Sequence, residues 1–151
     1  MINEEKVIIS NGINIGATIA YRDKNEKRPL VLLIMGTGTT DRDGNSFGFK
    51  TNLYKNLSDM FVEMGYVCIR YDKRGTHEST GDYKTGGLSD LVSDAANIIH
   101  YAKKLDYIDE EKVVVCGHRS KSVKDLKVRK WECPNCANIN DRDINASINI
   151  M

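Results

Sequence analysis

The sequence predicts an α/β fold, in which a β-hairpin is followed by a parallel sheet with helices on its faces. Two observations lead to this fold class. Continuous apolar runs such as "PLVLLIM" (29–35) and "YVCIRY" (66–71) are typical of strands that are buried on both faces. The segments between such runs carry apolar residues at helical spacing, so the order after the hairpin is strand, helix, strand, helix, strand.

The hairpin is predicted at the start of the chain. Residues 6–10 ("KVIIS") and 13–21 ("INIGATIAY") flank the dipeptide Asn11-Gly12. Both residue types accept a positive φ angle, which favours a two-residue turn between antiparallel strands. We therefore expect these two segments to pair with each other.

Two helices are predicted from apolar stripes. The first covers residues 51–64 and ends before Gly65, a residue type that is common after helix C-termini. The second covers residues 88–105 and is followed by the strand "KVVVC" (112–116). The side chains expected to face the sheet share 3.6-residue spacing. They are Leu53, Leu57, Met60, Phe61 and Met64 in the first helix and Leu88, Leu91, Val92, Ala95, Ile98, Ile99 and Ala102 in the second.

The charge of the chain is nearly balanced. The 22 Lys and Arg against 21 Asp and Glu give a net charge of +1, so no global field points to nucleic acid or to an anionic membrane. Residues 119–151 are more basic, with seven Lys or Arg and four Asp or Glu, although such an excess is usually a solvated surface. No apolar run approaches the roughly 20 residues that cross a bilayer, and the N-terminus lacks signal-peptide features. We expect a cytoplasmic protein that does not contact membranes.

The cysteines predict a zinc site in the C-terminal part. Cys68 stands in the middle of an apolar strand and is expected to be a small buried hydrophobic residue. Sixteen residues separate Cys116 from the motif Cys133-Pro-Asn-Cys136, a spacing found in zinc ribbons. Three thiolates are thus in place, and the position of the fourth is occupied by Val113.

Three stretches resemble the front half of α/β-hydrolases of the serine aminopeptidase or carboxylesterase-like kind. They are "MGTGTTDRDGNS" (35–46), "YDKRGTHESTG" (71–81) and "VVVCGH" (113–118), and they occur in the order typical of the family. The resemblance implies that the loop Gly36, Thr37 and Gly38 donates backbone N–H groups to an oxyanion, with Thr37 as the main donor. The alternative is that Gly-Thr-Gly is only a flexible strand exit.

The other residues of the second stretch are expected to have structural roles. Asp72, Arg74 and Gly75 should fix a loop rather than perform chemistry. His77 stands where the family usually has a glycine, and an isolated loop histidine is more often solvated than a catalytic base.

The nucleophile that the resemblance requires is absent. The motif Gly-x-Ser-x-Gly corresponds here to Gly117-His118-Arg119-Ser120-Lys121, so an arginine occupies the serine position. Ser120 is one residue late, and no histidine follows His118 to act as its base. We expect no hydrolysis by a catalytic triad. The hydrolase from which this part of the chain would derive is expected to have cleaved an ester or amide.

The end of the chain resembles the TnpB (OrfB) family of transposon-associated, RNA-guided nucleases. "WECPNC" (131–136) resembles the second zinc knuckle of that family, and "DRDINASINI" (141–150) resembles its last RuvC-type motif. The resemblance places Asp143 at the third catalytic carboxylate. Because such nucleases hold paired cations with three carboxylates, Asp143 alone is expected to be a remnant. Zinc held by the three cysteines, with His118 or water as fourth ligand, is the only cofactor that we expect.

The two resemblances meet at "CGH" (116–118), which indicates a fusion. We predict a truncated α/β-hydrolase-like domain at residues 1–118 and a TnpB-like fragment, with a partial zinc ribbon, at residues 116–151. The strand ending at Cys116 would form an exposed sheet edge, which favours marginal stability and self-association. The predicted function is that of a catalytically inactive fusion. The alternative is a small zinc-dependent nucleic-acid-binding module that contacts phosphates through Lys121, Lys124, Lys127, Arg129 and Lys130.

Overall fold

The computed structural model describes residues 1–35 and 38–114, and the backbone of residues 130–132 and 139–141. The chain divides into two compact units, one of residues 1–34 and 39–114 and the other of residues 35–38 and 115–151. The elements are β1 (Asn3–Asn11), β2 (Ile13–Tyr21), β3 (Arg28–Leu33), α1 (Leu53–Glu63), β4 (Val67–Tyr71), α2 (Leu88–Ala102), β5 (Ile108–Val114), β6 (Lys130–Glu132) and β7 (Ile139–Asp141).

The first unit contains a five-stranded mixed sheet in the order β1-β2-β4-β3-β5. β1 and β2 form the predicted antiparallel hairpin, β2 also runs antiparallel to β4, and β4, β3 and β5 are parallel. The turn differs from the prediction, because Asn11 pairs with Ile13 and only Gly12 adopts a positive φ, of 77°. A single residue with left-handed geometry therefore reverses the chain, instead of two.

One face of the sheet packs against α2 and is apolar, and we call it the α2 face. Ala95, Ile98 and Ala102 are buried there as predicted, because strand alternation directs large aliphatic side chains towards them. The prediction was wrong for the start of the helix, where Leu88 is 79% exposed and Val92 is 61% exposed. The apolar stripe extends beyond the turns that contact the sheet. The sheet residues of this core are Ile9, Ile15, Ala17, Ile19, Leu30, Leu32, Val67, Ile69 and Tyr71.

The opposite face packs against α1, and we call it the α1 face. Its apolar cluster is small, and it contains Cys68, which is buried as predicted and whose thiol pKa is raised by burial to about 11. The predicted inner stripe of α1 is confirmed only in part, since Phe61 packs against this cluster and Leu53 and Leu57 are half-buried. Met60 and Met64 are exposed, whereas the buried side chains are those of Tyr54, Ser58 and Val62.

The buried arginine of β4 explains the rotation of α1. Arg70 is 2% exposed and donates from Nη1 to Ser58 Oγ at 3.3 Å. This bond requires Ser58 to face the sheet, and helical geometry then carries Tyr54 and Val62 to the same side, since residues four apart share a face. The apolar pattern of the helix in the sequence does not indicate a polar contact with another element.

β5 lies at one end of the sheet, and β3 is its only partner among the described strands. This agrees with the expected edge position, although the strand begins at Ile108, earlier than predicted, and Cys116 lies outside the described residues. β6 and β7 form a separate antiparallel pair. Within the described ranges, no helix is both long and apolar enough to span a membrane.

Candidate functional site

The loops that follow β3 and β4 form the candidate site. β3 and β4 are parallel neighbours, so residues 39–52, which come after β3 in the chain, and residues 72–87, which come after β4, belong to the same edge of the sheet. Ligand sites of open α/β sheets lie at this carboxyl edge. The side chains of the two loops therefore decide what chemistry the site offers.

Asp72 ties the two loops together. Its side chain is 1% exposed, and its oxygens accept hydrogen bonds from the backbone N–H of Arg42 at 2.7 Å and of Glu78 at 3.3 Å. The Arg42 guanidinium lies 3.4 Å from the same carboxylate and also pairs with Glu78. Burial raises the pKa of the Asp72 carboxyl, although these partners oppose the rise. The expected structural role of Asp72 is confirmed.

Arg74 and Gly75 anchor the second loop. The guanidinium of Arg74 donates from Nε and Nη2 to both oxygens of Asp94 on α2, at 2.8 and 2.7 Å, which is a bidentate pair. Gly75 has a φ of 69°, and a Cβ on it would lie 2.2 Å from the backbone nitrogen of Tyr83. No larger residue fits at this position, so both predictions of a loop-fixing role are confirmed.

His77 is exposed, as predicted for a solvated loop histidine, but it does have a partner. Its Nε2 lies 2.9 Å from the carbonyl oxygen of Thr39, and because a carbonyl only accepts, Nε2 carries the hydrogen. The residue adopts a φ of 44°, in the left-handed region that favours glycine. His77 thus connects the loop after β4 to the loop after β3. The contact is at Thr39, the residue that follows Gly38.

The two described histidines are His77 and His100, and His77 acts on the Asp72 carboxylate only through its charge. In residues 1–35 and 38–114, the imidazoles of His77 and His100 make no hydrogen bond or ion pair with a serine or a carboxylate. Ser79 is buried in the second loop, where its hydroxyl donates to the Asp72 carbonyl and accepts from the Gly16 N–H. That hydroxyl is used for structure.

Two charged clusters on the α1 face were not predicted. Arg70 donates to Asp43 at 2.6 Å and to Glu4 at 2.9 Å, and Arg42 with Glu78 lies over Gly16. A Cβ on Gly16 would lie 2.6 Å from the Glu78 Cβ, so glycine permits this approach. One signal was available in the sequence, because an arginine inside the apolar run 66–71 requires a partner when it is buried.

Most predicted site residues lie outside the described residues. This holds for Gly36 and Thr37, whereas Gly38 has a φ of 114° that favours glycine. Lys130 begins β6, and only its backbone is described. Within the described ranges, no three His, Cys, Asp or Glu side chains are grouped as a metal site. The other site residues outside the described part are Cys116, Cys133, Cys136, Asp143, Lys121, Lys124, Lys127 and Arg129.

The fold is similar to that of solved α/β-hydrolases. Est1E from Butyrivibrio proteoclasticus, solved with ferulic acid, has a TM-score of 0.59 and 24% identity, and the match covers 74% of this chain and 42% of that one. The α/β hydrolase GrgF from Penicillium sp. sh18 has a TM-score of 0.56 and 15% identity, with coverage of 75% and 36%. An α-amino acid ester hydrolase has a TM-score of 0.53 and 27% identity, with coverage of 74% and 20%. These likenesses show an α/β-hydrolase fold.

Two sequence comparisons complete the assignment. A 31.7 kDa Escherichia coli protein from the traX-finO intergenic region is 25% identical over 112 residues, which are 73% of this chain and 36% of that protein. The chain thus spans about a third of the length of this relative. Residues 101–150 match the Cas12f1-like TNB domain, which agrees with the resemblance to TnpB-related proteins. The chain therefore has an α/β-hydrolase fold over about three quarters of its length, and residues 101–150 are similar to the Cas12f1-like TNB domain.

Proposed function

We propose that this chain does not hydrolyse esters by a serine triad, and that its C-terminal segment binds zinc. The observation that carries the first part is the sequence directly after β5. The strand ends at Val114, and the motif that follows has Arg119 where a hydrolase has its serine. A guanidinium does not act as a nucleophile at neutral pH.

The geometry of the described loops supports the same proposal. Asp72, Ser79 and Arg42 are among the buried polar groups at the carboxyl edge, and each of them hydrogen-bonds to a neighbouring segment of the chain. A general base has to hydrogen-bond the hydroxyl that it activates. His77 donates to a backbone carbonyl instead.

Hydrolysis of a p-nitrophenyl ester tests this part. We expect the full chain and its Ser120→Ala variant to release nitrophenolate at the same slow rate as buffer containing an equal amount of an inert protein. Turnover by the full chain that disappears in Ser120→Ala, but persists in the matched exchange Ser89→Ala on α2, would contradict the proposal.

The zinc site is proposed in the stretch of sequence between β6 and β7. These strands pair Glu132 with Ile139, and Cys133 and Cys136 stand between these two residues in the sequence. Two thiolates separated by two residues are the usual arrangement of a zinc knuckle. Cys116 would supply a third thiolate, and zinc would stabilise the segment by binding its folded form.

Metal content measured on the purified full chain tests the zinc site. We expect about one zinc per chain, released when Cys133 is changed to Ala and retained in the matched Cys68→Ala variant, because Cys68 is buried in the sheet. Equal zinc content in both variants would contradict the assignment.

Binding of nucleic acid by the C-terminal segment is a second candidate function. The observation that favours it is the family match, because residues 101–150 include all five basic residues predicted to contact phosphates. Phosphate contacts make affinity fall steeply with salt. We expect single-stranded DNA to bind with such a salt dependence, and Lys127→Glu to weaken binding more than the matched change Lys103→Glu on the sheet unit. Equal effects of the two changes would contradict this candidate.

A further inference from the structure

We propose that the groove between β1 and α2 binds an extended peptide segment with an acidic side chain, which adds as a strand to the outer edge of β1. This inference is independent of the proposed function, since it concerns neither the carboxyl-edge loops nor the C-terminal segment.

The outer edge of β1 provides backbone groups for pairing. β1 lies at the end of the sheet order, and among the described strands β2 is its only partner. In an antiparallel ladder, alternate residues direct their N–H and C=O groups away from the partner strand. The nine residues of Asn3–Asn11 therefore present a row of such groups that another extended backbone satisfies.

Only the second half of this edge lacks protecting charges. In the first half, Glu4 pairs with Arg70 and Lys55, and Glu5 pairs with Lys24. Residues 7–10 are Val, Ile, Ile and Ser and carry no charge, and Ile8 is 53% exposed. Charged side chains on an edge strand discourage pairing, so an incoming strand is favoured along the second half.

A groove lies beside this second half. It has a volume of about 410 Å³, with residues 8–11 of β1 in one wall and Asn97, His100, Tyr101 and Lys104 in the other. Asn11 Nδ2 donates to Asn97 Oδ1 at 2.6 Å and joins the two walls. A strand edge beside a helix is the arrangement in which an added strand directs alternate side chains into a pocket.

The basic side chains that line the groove favour a peptide with an acidic side chain. Its lining contains Lys104 and His100 but no Asp or Glu. Both residues are exposed, and within the described part neither of them makes an ion pair. A carboxylate on the added strand would supply the missing partner. Such an exposed pair contributes modestly, so it decides which strand binds, while backbone pairing supplies most of the affinity.

Fluorescence anisotropy with a labelled hexapeptide tests the proposal on the full chain. The probe is acetyl-Thr-Val-Glu-Val-Thr-Val, and the matched control peptide has Lys in place of Glu. We expect the acidic peptide to bind more tightly than the basic one. In the variant Lys104→Glu, affinity for the acidic peptide should fall about tenfold and the preference should reverse. Lys103→Glu should change neither affinity, because Lys103 does not line the groove.

The backbone contribution is tested by two N-methylated forms of the acidic peptide. One is methylated at its first, third and fifth residues and the other at its second, fourth and sixth. Strand addition uses alternate N–H groups, so one form should lose binding and the other should retain it. Equal affinity of both forms, equal effects of Lys104→Glu and Lys103→Glu, or no binding of the acidic peptide would each overturn the proposal. A dimer that excludes the peptide would also overturn it, because a second copy would then occupy the edge.

Discussion

The two faces of the sheet are stabilised by different chemistry. The α2 face is a continuous aliphatic layer in which Ile15, Ile69 and Ile98 are at most 2% exposed. The α1 face places Arg70 at the same depth and gives it Asp43, Glu4 and Ser58 as partners. Burial of apolar area is non-directional, whereas a buried guanidinium requires donors and acceptors at fixed places. We therefore expect the α2 face to provide most of the stability and the α1 face to fix the orientation of α1.

The largest effect is expected on the α2 face. Ile98→Ala removes a fully buried side chain and leaves a cavity, which should lower the free energy of unfolding by about 2–5 kcal/mol. The matched exchange Val92→Ala on the same helix should change it by less than about 0.5 kcal/mol, because Val92 is exposed. Urea denaturation followed by circular dichroism measures both. Similar losses in the two variants would mean that the faces of α2 are misassigned.

A smaller effect is expected from Arg70→Met on the α1 face. Methionine fills part of the volume but leaves Asp43 and Ser58 without their donor, so the free energy of unfolding should fall by about 2 kcal/mol. The loss is limited because the carboxylates of Asp43 and Glu4 are about one third exposed and remain hydrated. Lys55→Met is the control, since Lys55 also pairs with Glu4 but is more exposed. A gain in stability for Arg70→Met would show that this network does not stabilise the fold.

The orientation of α1 is tested by two truncations on neighbouring turns. Val62→Ala should lower the free energy of unfolding by about 1.5 kcal/mol, because Val62 is fully buried. Met60→Ala should lower it by less than about 0.5 kcal/mol, because Met60 is 45% exposed. The same denaturation assay distinguishes the two variants. A larger loss of unfolding free energy for Met60→Ala would mean that the apolar stripe predicted from the sequence is the buried side of α1.

The smallest effect is a pH dependence from Asp72. Burial raises the pKa of its carboxyl in the folded chain above the ordinary value of 3.8. The neutral form is thus favoured by folding, so the contribution of Asp72 to stability is fully present below pH 3.8 and is lost as the pH rises through the folded pKa. The difference in unfolding free energy between the wild-type chain and Asp72→Asn should therefore shrink as the pH rises through this range. Urea titrations at several pH values measure it, and a growing difference would contradict the sign.

Local patterns of residue type made much of the fold predictable. The hairpin, the buried strands 29–35 and 66–71, and the existence of both helices follow from apolar spacing and from Gly12 and Gly65, because the period of the apolar residues differs between strands and helices. The loop roles of Asp72, Arg74 and Gly75 were also predicted. Arg42 and Glu78 were not, because their approach depends on the missing side chain of Gly16, 26 and 62 positions away along the chain.

The sequence by itself determined the class of the sheet, the order of its elements and the resemblance of each end to a known family, since these depend on residue type and spacing along the chain. Only the tertiary structure decided which side of α1 is buried, that Leu88 and Val92 remain exposed, and that a groove lies between β1 and α2. These features depend on contacts between residues distant in the chain. The buried side of α1 is the one that carries Ser58, because the buried Nη1 of Arg70 needs an acceptor in addition to the bonds from Nε to Asp43 and from Nη2 to Glu4.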